Sequence, residues 1–151
     1  MHDSQNSPTT ISRPFTLTKH LPHLLRWAHF EADAIFSQVY GPAVTSRQLS
    51  LLVAVGMRPG ASQSDVAHTI GLDLNTCSDL VARTVGKGLL RRERSASDAR
   101  SYCLYLTDEG AAARDAGVAL APVYQDMVAT RLSASERAQL IKLLRKMLGF
   151  G

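Results

Sequence analysis

Apolar positions recur at helical spacing over most of the chain, and one short stretch switches to strict alternation. From Leu17 to Tyr40, Leu21, Leu24, Leu25, Ala28, Ala32, Ile35 and Val39 share one face at the 3.6-residue period. A second face of the same segment carries His20, His23, Trp27, Phe30 and Ala34. Pro22 fits only near the start of such a helix, where its missing N–H breaks no bond. A helix with two apolar faces suits a place between two bodies better than a place on one surface. Gly41 and Pro42 end it.

Thr45, with Gln48 three residues on, is a capping-box start for a second helix whose expected buried stripe is Leu49, Leu52, Val53 and Met57. Arg58-Pro59-Gly60 is a turn. Ser62 with Asp65 opens a short third helix burying Val66, Ala67 and Ile70, and Gly71 stops it. Asp73 caps a fourth helix with Cys77, Leu80, Val81 and Val85 inward, ended by Gly88. Leu89 to Arg94 and Ser101 to Leu106 are then β-favouring with alternating faces, joined by a small polar loop, and predict a hairpin. Thr107 caps a long helix to about Thr130, where Pro122 predicts a kink. Ser133 and Glu136 form a last capping box before the apolar stripe Leu140, Ile141, Leu143, Leu144, Met147 and Leu148.

Composition narrows the class. The 151 residues suffice for one domain with a real core, and 45% hydrophobic with 20% charged residues is ordinary for a globular protein. No apolar run approaches the ~20 residues of a membrane helix. Residues 1–16 are polar, hold Pro8 and Pro14, and lack the apolar core of a secretory signal. They are expected to form a mobile arm, with docking of the part near Phe15 on a partner subunit as the alternative. Cys77 and Cys103 stand at no metal spacing, which with the missing signal predicts a reducing cytoplasm.

The charge is local. Six of seventeen basic residues lie between Arg83 and Arg100 beside only Glu93 and Asp98, while the other eleven bases and eleven acids cancel. That is the electrostatic footprint of a module meeting a polyanion. Upstream, small Ala67, Gly71 at a tight turn and inward Cys77, framed by Val66, Ile70, Leu72 and Leu80, fit a helix-turn-helix. A basic hairpin straight after it makes the unit a winged helix-turn-helix.

Gly88-Leu89-Leu90-Arg91-Arg92, then Asp98-Ala99-Arg100, then Leu104-Tyr105-Leu106-Thr107-Asp108-Glu109-Gly110 resemble the wing of the MarR family of bacterial regulators. The long first helix and the closing Leu132-to-Glu136 segment extend the resemblance over nearly the whole chain after the arm. It implies a mainly α-helical fold with a small β-hairpin wing, in which 17–40 and 107–151 dimerise and 45–106 form the winged domain. It also implies a homodimer on double-stranded DNA, with a pseudo-palindromic operator whose half-sites lie about one helical turn apart.

On the fourth helix, Leu74, Asn75, Thr76, Ser78 and Arg83 are expected to face bases or phosphates, with Lys87 a further phosphate candidate. Asn75 can pair bidentately with adenine, and the methyls of Leu74 or Thr76 can touch thymine. Asp79 departs from the family's neutral or basic preference: it either accepts from cytosine N4 or is held by Arg83 at i+4. In the wing, Arg100 matches the family's minor-groove arginine, Asp98 is expected to orient it or to brace Arg92, and Arg94 adds charge.

Members of the resembled family bind small effectors, often aromatic acids, between the dimerisation helices and the winged domain. The second face of the first helix, with His20, His23, Arg26, Trp27 and Phe30, and Arg47 on the next helix, offers stacking surface and cations for an aromatic acid or its acyl thioester. The plain alternative places Trp27 and Phe30 in a core and the histidines at its edge. His20 and His23 have zinc spacing but no third ligand, so no metal and no cofactor are expected. Cys77 is expected to pack as a small hydrophobe. No Gly-rich phosphate loop, catalytic triad or acid–base carboxylate pair is present, which argues against an enzyme. The reading is a dimeric DNA-binding repressor released by a ligand. The alternative is a winged-helix interaction module without specific DNA binding.

Overall fold

The computed structural model describes residues 14–151. The expected arm therefore lies almost wholly outside the described residues. A 3-10 turn, Leu17–Lys19, precedes α1 (Leu21–Tyr40). The expected single helix from Leu17 is thus broken at His20, because Pro22 belongs in the first helical turn and sets the start there. There follow α2 (Ser46–Met57), α3 (Gln63–Thr69), α4 (Leu74–Gly86), β1 (Leu90–Arg94), β2 (Tyr102–Leu106), α5 (Asp108–Val128) and α6 (Ala134–Met147). The five expected side-chain caps form: Thr45, Ser62, Asp73, Thr107 and Ser133 each accept from the backbone N–H three residues on. The helix α5 continues through Pro122.

The core sits between α2, α3, α4 and the hairpin. Leu51, Leu52, Val55, Cys77, Val81 and Leu104 are fully enclosed there. This corrects the expected stripe of α2. Leu51 and Val55 are core, whereas Met57 is 75% exposed and Leu49 and Val53 are half-buried. The helix is flanked on two sides: Leu51, Leu52 and Val55 face the winged core, and Leu49 lies against α5 at Gly117. On α4, Thr84 rather than Val85 is fully buried, its hydroxyl satisfied by the Leu80 carbonyl at 2.7 Å. Gly71, at φ 71°, makes the turn from α3 to α4 that a side chain would strain.

On α1, the buried residue is Phe36, which the stripe drawn through Ile35 and Val39 omits. Its ring stacks on Tyr40 at 4.0 Å and meets Tyr124 of α5 edge-on at 5.4 Å. Tyr40 donates to the Gly117 carbonyl and Tyr124 to the Ala32 carbonyl, each at 3.0 Å, fastening α1 to α5. Burial raises the pKa of both phenols; Asp33 and Tyr40 push Tyr124 further in the same direction. Both therefore stay protonated donors.

Two antiparallel strands form the wing, with Leu90 opposite Leu106 and Arg94 opposite Tyr102. At its base, Thr107 caps α5 by accepting from Gly110 N, and its hydroxyl donates to the Gly88 carbonyl at 2.6 Å. Gly110 there touches the Leu89 carbonyl so closely that a Cβ would lie 1.8 Å from its oxygen. No buried residue is found on α6. No helix is long and apolar enough to cross a membrane among the described residues.

Candidate nucleic-acid interface

The start of α4 is built around Asp73. Its carboxylate accepts from Thr76 N at 2.8 Å and from Thr76 Oγ1 at 2.6 Å. The hydrogen bonds from the Thr76 hydroxyl and backbone hold the Asp73 pKa below its ordinary value. The Thr76 hydroxyl is thereby committed to the cap, which leaves its methyl for any outside contact. Leu74 is 56% exposed, Asn75, Asp79 and Arg83 are exposed, and Ser78 is half-buried. Asn75, Asp79, Ala82 and Arg83 share one face at helical spacing. The expected pairing of Asp79 with Arg83 through the carboxylate does not form. Arg83 Nε reaches instead the Asp79 main-chain carbonyl at 3.4 Å, leaving the carboxylate directed outward.

Directly after α4 comes the basic hairpin. Its arginines lie on tyrosines of the opposite strand. Arg91 sits over Tyr105 at 4.6 Å, and Arg92 and Arg94 over Tyr102 at 5.0 and 5.3 Å. Arg91 also pairs with Glu93, and Arg94 donates to the Ala99 carbonyl across the loop. Asp98 accepts from the Arg100 backbone N–H at 2.9 Å, an Asx turn that presents Arg100 at the tip. It orients Arg100 in this way and makes no ion pair with Arg92, which is braced by Tyr102. Among the described residues, Arg91 is the one basic group of the 83–100 segment with a carboxylate partner. Lys87 is differently placed: its ammonium donates to Gln48 Oε1 and the Ala43 carbonyl.

Behind α2 the chain leaves a cavity of about 830 Å³, lined by Phe36, Tyr40, Leu49, Val53, Ile70 and Tyr124 among others. A more polar hollow of about 420 Å³ adjoins it, walled by His29, Asp33, Ser46, Arg47 and Ser50. Ser46, Ser50, Ile70, Gly71 and Tyr124 belong to both. Of the six residues expected around an effector, Arg47 lines this space. His20, His23, Arg26, Trp27 and Phe30 lie outside it in a single copy of the chain. Trp27 and Phe30 are 52% and 62% exposed, the His23 ring lies 3.0 Å from Arg26, and the Trp27 indole donates to Glu31. The reason is rotational: the Phe36/Tyr40 face of α1, on the opposite side of the helix from Trp27, turns to α5. Cys77 is fully enclosed, and its thiol pKa is raised by burial and by the Asp73 charge, which disfavours the reactive thiolate.

Comparison with known proteins agrees with this geometry. A MarR family profile matches residues 44–101, from the start of α2 to the far side of the wing loop. The HTH-type transcriptional repressor NicR of Pseudomonas putida is 32% identical over 136 residues, covering 89% of this chain and 86% of its own. The PcaV regulator of Streptomyces coelicolor, solved with its natural ligand, superposes with a TM-score of 0.84 at 28% identity, over 91% of this chain and 97% of its own. BpsR of Bordetella bronchiseptica, whose DNA binding is regulated by 6-hydroxynicotinic acid, gives 0.77 at 29%, over 84% and 97%. The repressor CouR, bound to a 23-mer DNA duplex, gives 0.78 at 28%, over 87% and 94%. With a helix-turn-helix, a basic wing and relatives matched along most of its length, the chain belongs to the MarR family of transcriptional regulators.

Proposed function

We propose that the chain works as a cytoplasmic homodimeric repressor, released from a pseudo-palindromic operator by a small aromatic carboxylate or its thioester. In this reading α2 to β2 form the DNA-binding unit, and α1, α5 and α6 the dimerisation unit. The observation that carries the DNA half is Arg83, exposed on α4, followed by the arginines of the wing, of which Arg91 alone has a carboxylate partner among the described residues. Asn75 and Leu74 read base edges, Ser78 and Arg83 meet the backbone, and Arg92, Arg94 and Arg100 follow it into the adjoining minor groove. Asp79, free of Arg83, accepts from a cytosine N4 amino group. The apolar stripe of α6, with Ile141 and Leu143 about half exposed, supports pairing with a second copy.

The ligand half rests on the cavity. Its aromatic wall of Phe36, Tyr40 and Tyr124 stacks on a ring, and Arg47 at the adjoining hollow meets a carboxylate. The named ligand of BpsR, a small aromatic acid, is of the same chemical kind. A partner's α1 brings His20, His23, Arg26, Trp27 and Phe30 into play only where the two copies meet.

The test is titration of the chain's own promoter region against scrambled DNA across salt, with and without a panel of aromatic acids and thioesters. Selective binding released by one compound is the expected result. Arg83→Ala should lower the salt slope by about one, and Arg100→Ala should weaken mainly A·T-flanked sites. Binding no tighter than to scrambled DNA, with a flat salt response, would favour the protein-interaction module instead.

A further inference from the structure

Lys87 is exposed and stands among the basic residues between α4 and the wing, yet its ammonium is engaged by acceptors of its own fold. It caps the C-terminus of α4, and its backbone N–H donates to the Arg83 carbonyl. The ammonium donates to Gln48 Oε1 at 3.0 Å and to the Ala43 carbonyl at 3.2 Å. Two of its three donors are thus engaged. Gln48 is 4% exposed, and the same Oε1 accepts from Thr45 N at 3.1 Å, while Gln48 N donates to Thr45 Oγ1 at 3.2 Å. One buried oxygen therefore fastens both the first turn of α2 and the last turn of α4.

That first turn of α2 is held on its other side as well. Ser46 Oγ donates to Asp33 Oδ1 of α1 at 2.9 Å, and His29 Nε2 lies 3.4 Å from Oδ2 of the same carboxylate. Asp33, Ser46 and Arg47 also wall the polar hollow. Hydrogen bonds therefore tie α1 to Ser46 and, one peptide bond away, tie Thr45 through Gln48 to the end of α4.

We propose that Lys87 is a positioning residue: through Gln48 it sets α4 against the first turn of α2, so that displacement of α1 or of that turn re-aims α4, and it is not a phosphate contact. The inference rests on the reading of α4 as the helix that meets DNA. A hydrogen bond from an ammonium to a sheltered acceptor is among the stronger kinds, and a cation suits a helix C-terminus. Discrete polar links between packed elements are what allow a shift at one element to reach another.

The test compares wild type, Lys87→Met, Gln48→Met and the double variant of the full chain on promoter and scrambled DNA over a range of salt. Each single variant should lower the promoter-over-scrambled ratio about tenfold, the loss of one charged hydrogen bond. The double variant should lose no more than either single, while the salt slope and binding to scrambled DNA stay at wild-type values. A phosphate contact would behave otherwise. Lys87→Met would then cut the salt slope by about one and weaken both DNAs alike, with Gln48→Met silent, and the proposal would be overturned. An unchanged ratio in both variants, with only a lowered melting temperature, would overturn it too. If wild type itself shows no promoter preference, the DNA reading is what fails. The joint is then judged by hydrogen exchange without DNA: Lys87→Met must speed exchange in the last turn of α4, and unchanged protection there refutes it.

Discussion

The stretch from α2 to β2 and the helices α1, α5 and α6 use apolar residues in opposite ways. In the first, Leu51, Leu52, Val55, Val81 and Leu104 are closed off by one another within a single copy. In the second, α1 buries only Phe36, α5 only Gly110 and Gly117, and α6 nothing. Leu140, Ile141, Leu143 and Met147 are each 45–54% exposed. The difference shows what a hydrophobic stripe states and what it leaves unsaid. Helical spacing says that a face will be covered. It does not say whether the cover comes from the same chain or from another.

The contrast breaks most severely at the seam between the two regions. Gly110→Ala would put a methyl against the Leu89 carbonyl, a backbone atom that cannot step aside, so the base of the wing or the start of α5 must move. A loss on the order of 3–5 kcal/mol is expected, read as the shift in urea midpoint. A loss below about 1 kcal/mol would mean that the seam is loose.

A charge on the outer stripe tests the second region alone. Ile141→Glu should halve the sedimenting mass and weaken promoter binding by at least roughly tenfold, because one half-site is then bound without the other. Helix content and the core should persist. An unchanged mass would remove α6 from the proposed interface.

The mildest test is acidification. Asp73 caps inner α4 and Glu136 closes the capping box that Ser133 opens on outer α6, and in each the hydrogen bonds of the cap lower the folded-state pKa. Each cap's contribution is therefore complete above the unfolded carboxylate value of about 4 and is lost as pH falls through the folded one. Asp73→Asn keeps a capping oxygen but removes the proton linkage. It should flatten the decline of the melting temperature between about pH 5 and pH 3, and an unaltered decline would assign it to other carboxylates.

How much of this was legible in the chain follows the same division. Caps are local chemistry, a side-chain oxygen three residues from an N–H, so Thr45, Ser62, Asp73, Thr107 and Ser133 could be read directly. So could the hairpin, from alternation and its polar loop. What misled was rotation of a helix about its own axis. On α2 and α1, apolar residues occupy more than one face, and periodicity alone did not rank Leu51 over Met57 or Phe36 over Trp27. The cavity wall was hidden for the same reason: Tyr124 lies far along the chain from Asp33 and Ser46, and only the crossing of α5 over α1 and α2 joins them. The role of Lys87 as a tie to α2 was equally hidden, since a lysine between Arg83 and the basic wing reads as free surface charge until Gln48 is seen beside it.

The chain has a single tryptophan, Trp27, and it stands on the outward face of α1. The winged core contains none, so indole fluorescence is blind to the winged half. It is an optical label built into the other half. Its colour will follow whatever comes to rest on α1, so the proposed association of two copies can be tested by light alone, without a dye or a tag.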